Sequence, residues 1–146
     1  MAINYSEVNA RAMNLILSVK KHVSSIEPNL KALVELRVSQ INGCAYCVNL
    51  HSVEARELGE QQQKLDCLVV WKESKLFSTR EMAALSWAEA VTNVSVETDM
   101  NLKLDKLLKV FEENEVVDLT LIISIMNCLN RLAISFGDQP EPAVRK

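Results

Sequence analysis

The sequence predicts an all-α fold, a single-domain helical bundle of about six or seven helices, on three observations. Only three glycines and three prolines punctuate 146 residues, too few turn-formers for a chain of many short strands. Apolar side chains recur at three- and four-residue steps through most of the chain, the period of a helix face. Capping residues stand at the heads of several of these runs. At this length one domain is expected, able to bury roughly 68–70% of the surface its unfolded chain exposes. Residues 1–146 are therefore read as one domain, with 138–146 a short irregular tail.

Val8, Ala12, Leu15, Val19 and Val23 predict a first amphipathic helix over about residues 6–24. Pro28 is placed to open a second, since proline is tolerated in the first helical turn. Leu30, Leu33, Val34, Arg37, Val38 and Ile41 carry it to the turn-forming pair Asn42-Gly43. A third helix starts at about Cys44 and runs to Gly59, which reads as a C-terminal cap. Leu65, Leu68, Val69 and Lys72 predict a fourth. Ser78-Thr79-Arg80-Glu81 matches a capping box and opens a fifth, with Met82, Leu85, Ala88 and Val91 on one side. Thr98 or Asp99 caps a sixth, and Asn114 or a neighbour caps a long seventh that ends at Gly137. That last helix is apolar nearly all round and must be covered on every side, by its own chain or by a partner subunit.

Composition excludes several function classes. Apolar residues make up 49% and charged residues 24%, with a net charge of −3. A disordered chain and a basic nucleic-acid binder are both excluded. The N-terminal residues lack the apolar core and cleavage site of a signal peptide. The most apolar stretch, Val116 to Phe136, is interrupted by Asp118, Asn127, Asn130 and Arg131. It reads as a buried helix rather than a bilayer span. A cytoplasmic domain with no membrane partner is expected. In a reducing compartment a close cysteine pair is catalytic or metal-binding more often than structural.

The informative segment is Ser39-Gln40-Ile41-Asn42-Gly43-Cys44-Ala45-Tyr46-Cys47-Val48-Asn49-Leu50-His51. At about 100° per residue, Cys47 lies about 60° and His51 about 20° from Cys44, so all three can share one helix face. A helix start just ahead of Cys44 favours a thiolate, and an imidazole one turn on can take or return a proton. One sulfur can then act as nucleophile and the other resolve its product as a disulfide. Zinc is the rival reading, but Cys67, Cys128 or His22 would supply a fourth ligand only by accident of folding. Covalent haem needs histidine where Val48 stands, and a thioredoxin motif needs a βαβ setting. Two buried core thiols remain the plainest alternative. No cofactor and no metal is expected.

LVELRVSQINGCAYCVNLHSVEAREL resembles the core motif of the alkylhydroperoxidase D-like branch of the carboxymuconolactone decarboxylase family. The resemblance continues through Phe77-Ser78, the stretch from Ala83 to Ala90, Val116 to Thr120, and Asn130 to Ala133. It implies an all-α homo-oligomer, a dimer, trimer or hexamer. By motif position it implies that Cys47 is the peroxidatic sulfur, Cys44 the resolving one, and His51 part of the proton relay. The substrate would be a hydroperoxide, with an external dithiol to reduce the pair again.

One departure matters. The family pattern places a glutamate twelve residues before the first cysteine, where this chain has Ala32. Glu35, one turn later, can substitute, act through water, or point into solvent, and the abundance of surface glutamates in helices favours the last. Two other function classes stay open: an oligomeric module whose activity has decayed, and a decarboxylase acting on a small carboxylated ring. Cys67 and Cys128 read as inert core thiols, His22 as a surface residue, and Trp71 and Trp87 as packing residues. Glu89, Arg37 and Arg131 fall within apolar helices as candidates for ion pairs. Tyr46 can either gate access or pack against a partner.

Overall fold

A computed structural model describes residues 3–142. Its helices are α1 (Tyr5–Val8), α2 (Ala10–Val19), α3 (Pro28–Asn42), α4 (Ala45–Glu57), α5 (Gln62–Asp66), α6 (Thr79–Thr92), α7 (Met100–Leu107) and α8 (Glu113–Phe136). A 3-10 segment, Cys67–Glu73, follows α5. No strand occurs among the described residues, so the fold is all-α as expected. The tail beyond Gly137 has no helix as far as residue 142, and its last four residues lie outside those described.

α3 is the axis because it is apolar on two sides. Val34 and Val38 face Ala84, Ala88, Leu119, Ile122, Ile123 and Met126 in the larger core cluster. Leu33 and Leu36 face Leu65, Leu68, Trp71, Phe77 and Leu85 in the smaller one. α3 therefore packs against α4, α6 and α8 together. Pro28 occupies the first turn of α3, where its missing N–H costs nothing.

The Ser78 capping box is present: Glu81 N–H donates to Ser78 Oγ at 3.2 Å, and Ser78 N–H donates to Glu81 Oε2 at 2.8 Å. Ser78→Ala is expected to lower the unfolding free energy by about 1 kcal/mol, read from the shift of a denaturant midpoint at constant slope.

Two expected elements differ. The first helix breaks at Asn9, whose side chain accepts from Ala12 N–H and so caps α2, and it ends at Val19. The face drawn through Val8 and Leu15 points outward, with those residues 77% and 62% exposed. Periodicity identifies residues that share a face, not the side on which the protein lies. Met13, Leu17 and Lys20 instead line a cavity beside α4, with Leu17 still 43% exposed. The fourth helix is also split, at the kink of Val70 (φ −120°, ψ 27°). The tighter 3-10 turn puts Leu68 and Trp71, three residues apart, on the same buried side.

α8 caps itself with Glu112 and Glu115 rather than Asn114, and ends at left-handed Gly137. By length and composition it is apolar enough to cross a membrane, with a mean hydropathy of 1.6. In the fold it lies against α3 and α6, burying Val116, Leu119, Ile122, Ile123 and Met126. Its outer side is left uncovered, with Val117, Leu121 and Ile134 exposed.

Candidate active site

The cysteine pair is placed by the end of α3. Asn130, fully buried on α8, donates to Ser39 Oγ at 3.1 Å and accepts from Asn42 Nδ2 at 2.9 Å. Ser39 Oγ in turn donates to the Glu35 carbonyl at 2.8 Å. These polar ties fasten the last turn of α3 to α8 immediately before the chain reverses. Gly43 makes the reversal in the left-handed region (φ +70°), which side chains other than glycine adopt only with strain. Cys44 then serves as the N-cap of α4 rather than its first helical residue, and its Sγ accepts from Cys47 N–H at 3.3 Å.

Cys44 and Cys47 are joined as a disulfide, their Cα atoms 5.3 Å apart. Both are buried at the positive end of α4. His51 follows one turn later and is 2% exposed. Cys47 and His51, one turn apart on α4, line the same cavity, and the disulfide ties Cys44 to Cys47 from the N-cap position.

Glu35 does not point into solvent, contrary to the expectation for a helix-surface glutamate. It is 4% exposed, with Oε2 at 3.6 Å from His51 Nδ1 and Oε1 at 2.6 Å from Lys20 Nζ. α3 and α4 pack tightly, so the side of α3 that carries Glu35 faces the buried imidazole. Lys20, arriving from the end of α2, supplies the countercharge that such burial requires.

Two residues of the site escaped the sequence reading. Lys20 is one, and no local signal marks it, because it comes from the N-terminal arm. Glu54 is the other. Its Oε2 lies 2.7 Å from His51 Nδ1. A carboxylate can only accept, so Nδ1 carries the proton of this hydrogen bond and Nε2 is left without it. The i,i+3 spacing of His51 and Glu54 on one helix is the signal that could have found it.

A cavity of about 620 Å³ opens over Cys47 and His51 but is not lined by Cys44. Apolar residues Met13, Leu17, Leu50, Met126, Leu129 and Phe136 are part of its wall, beside polar Asn4, Ser6, Lys20 and Asp138. Tyr5 stacks on Phe136 with ring centroids 5.1 Å apart and donates to Asp138 Oδ2 at 2.8 Å. Burial, then the hydrogen bond and the charge of Asp138, push the Tyr5 hydroxyl up to about 12. It is a fixed donor that ties the arm to the end of α8, not a proton source. Tyr46 stands half-exposed at the cavity wall.

The remaining polar candidates separate clearly. Arg37, Lys72 and Trp71 converge on Glu89 away from the cavity. Trp87 donates to Thr120 Oγ1 at 2.9 Å, so both tryptophans are packing residues with satisfied N–H groups. Arg131 is exposed and bonds the Asn127 carbonyl, and His22 is exposed. Cys128 is exposed and Cys67 half-buried, so neither is the sealed core thiol expected. Ligand atoms of Glu35, His51 and Glu54 lie within 4.8 Å of one another. They are metal-ligand types, but the Lys20 ammonium already neutralises Glu35, and it opposes a second cation there.

Residues 7–90 match the model of the carboxymuconolactone decarboxylase family. YdfG of Bacillus subtilis, an uncharacterized protein, is 33% identical over 139 residues, covering 94% of this chain and 95% of its own. The chain belongs to the carboxymuconolactone decarboxylase family. Uncharacterized YnjA of Escherichia coli is 31% identical over 104 residues, 71% of this chain and 57% of YnjA. ATU0492 of Agrobacterium tumefaciens, a protein of unknown function and a candidate AhpD antioxidant-defence protein, superposes with a TM-score of 0.92 at 32% identity. That match covers 97% of this chain and 99% of the other. The debrominase Bmp8 shares the fold, with a TM-score of 0.80 at 24% identity over 90% of this chain and 70% of its own. The stretch of this chain matched by the carboxymuconolactone decarboxylase family model contains Lys20, Glu35, both cysteines, His51 and Glu54.

Proposed function

We propose that this family member is a thiol-dependent peroxidase that reduces organic hydroperoxides in the cytoplasm and is regenerated by an external dithiol. The observation that carries the reading is a closable Cys44–Cys47 pair at a helix start, with only Cys47 opening onto an apolar cavity beside a carboxylate-backed histidine.

In the reduced protein, His51 Nε2 takes the Cys47 proton. The thiolate attacks the terminal oxygen of the hydroperoxide, so an S–O bond forms as the O–O bond breaks. The alkoxide released takes the proton from His51 and leaves as the alcohol. Cys47 is then a sulfenic acid, and Cys44 condenses with it, losing water and closing the disulfide. Exchange with an external dithiol returns both thiols. The preference of the cavity wall for apolar groups supports an organic hydroperoxide over hydrogen peroxide. The uncovered apolar side of α8 supports association with further copies of the chain. Ala32 is the ground for reading the chain as a decayed module. That ground weakens with two carboxylates at His51.

The test is stoichiometric. Reduced protein mixed with cumene hydroperoxide is expected to lose two of its four thiols. Peptide mass spectrometry should place the new bond between Cys44 and Cys47. Unchanged thiols, or oxidation confined to Cys67 and Cys128, would sink the reading.

A further inference from the structure

We propose that Glu54 is the carboxylate of the relay in this chain, doing from α4 what the absent glutamate at position 32 would do from α3. The inference rests on the thiol-peroxidase reading and names a positioning residue within that same site.

Geometry separates the two carboxylates near His51. Glu54 Oε2 is at hydrogen-bond distance from Nδ1, 2.7 Å, whereas Glu35 Oε2 stands off at 3.6 Å. Glu35 is also ion-paired elsewhere, its other oxygen 2.6 Å from Lys20 Nζ although without hydrogen-bond alignment. A carboxylate already neutralised by an ammonium stabilises an imidazolium less than an uncompensated one does. No lysine or arginine pairs with Glu54 among the described residues. It lines both the thiol cavity and a second cleft of about 350 Å³, whose wall also includes Ala32, Glu35, Glu57, Lys20 and Lys31.

That second cleft explains the placement. Ala32 leaves its wall bare at the position where the family pattern has a glutamate. Glu54, its side chain 43% exposed, spans from His51 to this solvent side. It holds the proton on Nδ1, so that Nε2 is the basic nitrogen, and stabilises the imidazolium formed when Cys47 loses its proton. Glu35, paired with the partly buried Lys20, stands behind it at 3.6 Å from the same nitrogen, Nδ1. The other titratable groups around the cavity are Tyr5, Tyr46 and Asp138; Tyr5 and Asp138 bond each other at 2.8 Å.

The experiment measures Cys47 alkylation by iodoacetamide against pH in the reduced, full-length protein, following the Cys47 peptide by mass spectrometry. E54Q is expected to slow alkylation at pH 7 about tenfold, the worth of one hydrogen bond to a charged group, and to move the profile to higher pH. Adding A32E to E54Q is expected to recover most of the rate, because the carboxylate returns by the other route. An E54Q profile superimposed on wild type overturns the proposal. So does slowing that A32E does not restore, since a merely structural role for Glu54 would behave that way. Alkylation needs no peroxide, so this outcome is separate from whether the protein turns over hydroperoxides.

Discussion

Cys47→Ser protein is expected to fall to the uncatalysed level of hydroperoxide reduction while keeping its fold. Serine is nearly isosteric with cysteine, and residue 47 sits inside α4 with its backbone bonds intact, so circular dichroism should be unchanged. Turnover is expected to fail because the proposed nucleophile is a thiolate, and a serine hydroxyl at neutral pH is neither ionised nor able to form the S–O bond. Cys44→Ser is expected to differ in kind. It removes the partner that condenses with the sulfenic acid, so one oxidation occurs and then stalls. A dimedone adduct on Cys47 in Cys44→Ser, absent from Cys47→Ser, assigns the two roles. An adduct on Cys44 in Cys47→Ser would reverse them. Cys47 reaches the cavity and Cys44 does not, which is why the roles are expected in this order.

Glu89→Ala is expected to lower the unfolding free energy by about 2–3 kcal/mol, or roughly 5–10 °C in midpoint for a domain of this size. Glu89 Oε1 accepts from Arg37 Nη2 at 2.8 Å and from Trp71 Nε1 at 2.9 Å, and Oε2 meets Lys72 Nζ at 2.6 Å. Removing the carboxylate leaves the buried Trp71 indole N–H without its acceptor and the Arg37 guanidinium with Gln40 Oε1, at 3.3 Å, as its remaining side-chain acceptor. The pH dependence carries the signature. Burial pushes the Glu89 carboxyl up, but hydrogen bonds from Lys72, Trp71 and Arg37 outweigh it and hold it below the ordinary 4.5. A group held lower in the folded state stabilises at pH values above its unfolded value and loses that contribution as pH falls through the folded one. The gap between wild type and Glu89→Ala should therefore be full above about pH 4.5 and narrow below it. A gap that stays constant on acidification would mean that the loss is packing alone.

Local signals in the chain account for most of the helices. Pro28, the Ser78–Glu81 box and the three positive-φ glycines mark helix ends where the structure has them, because caps satisfy backbone groups within a few residues of themselves. The fourth helix was only half legible, since its 3-10 turn follows from seating Trp71 against Glu89 on another element. The N-terminal helix was misread for the same reason. An apolar period without a known neighbour has no inside, and the residues that matter there are Met13, Leu17 and Lys20.

By itself, the sequence determined the all-α class and the motif from Ser39 to His51. It determined too that two thiols and an imidazole would share the first turns of one helix. These are properties of spacing along a regular screw, and they need no partner element. Only the tertiary structure decided which carboxylates reach the imidazole, and how closely. α3 and α4 bring Glu35 to 3.6 Å and Glu54 to 2.7 Å from one nitrogen, and the end of the arm brings Lys20 to Glu35. Hydrogen bonding and charge compensation act over a few ångströms in space, so they are set by packing and not by position in the chain.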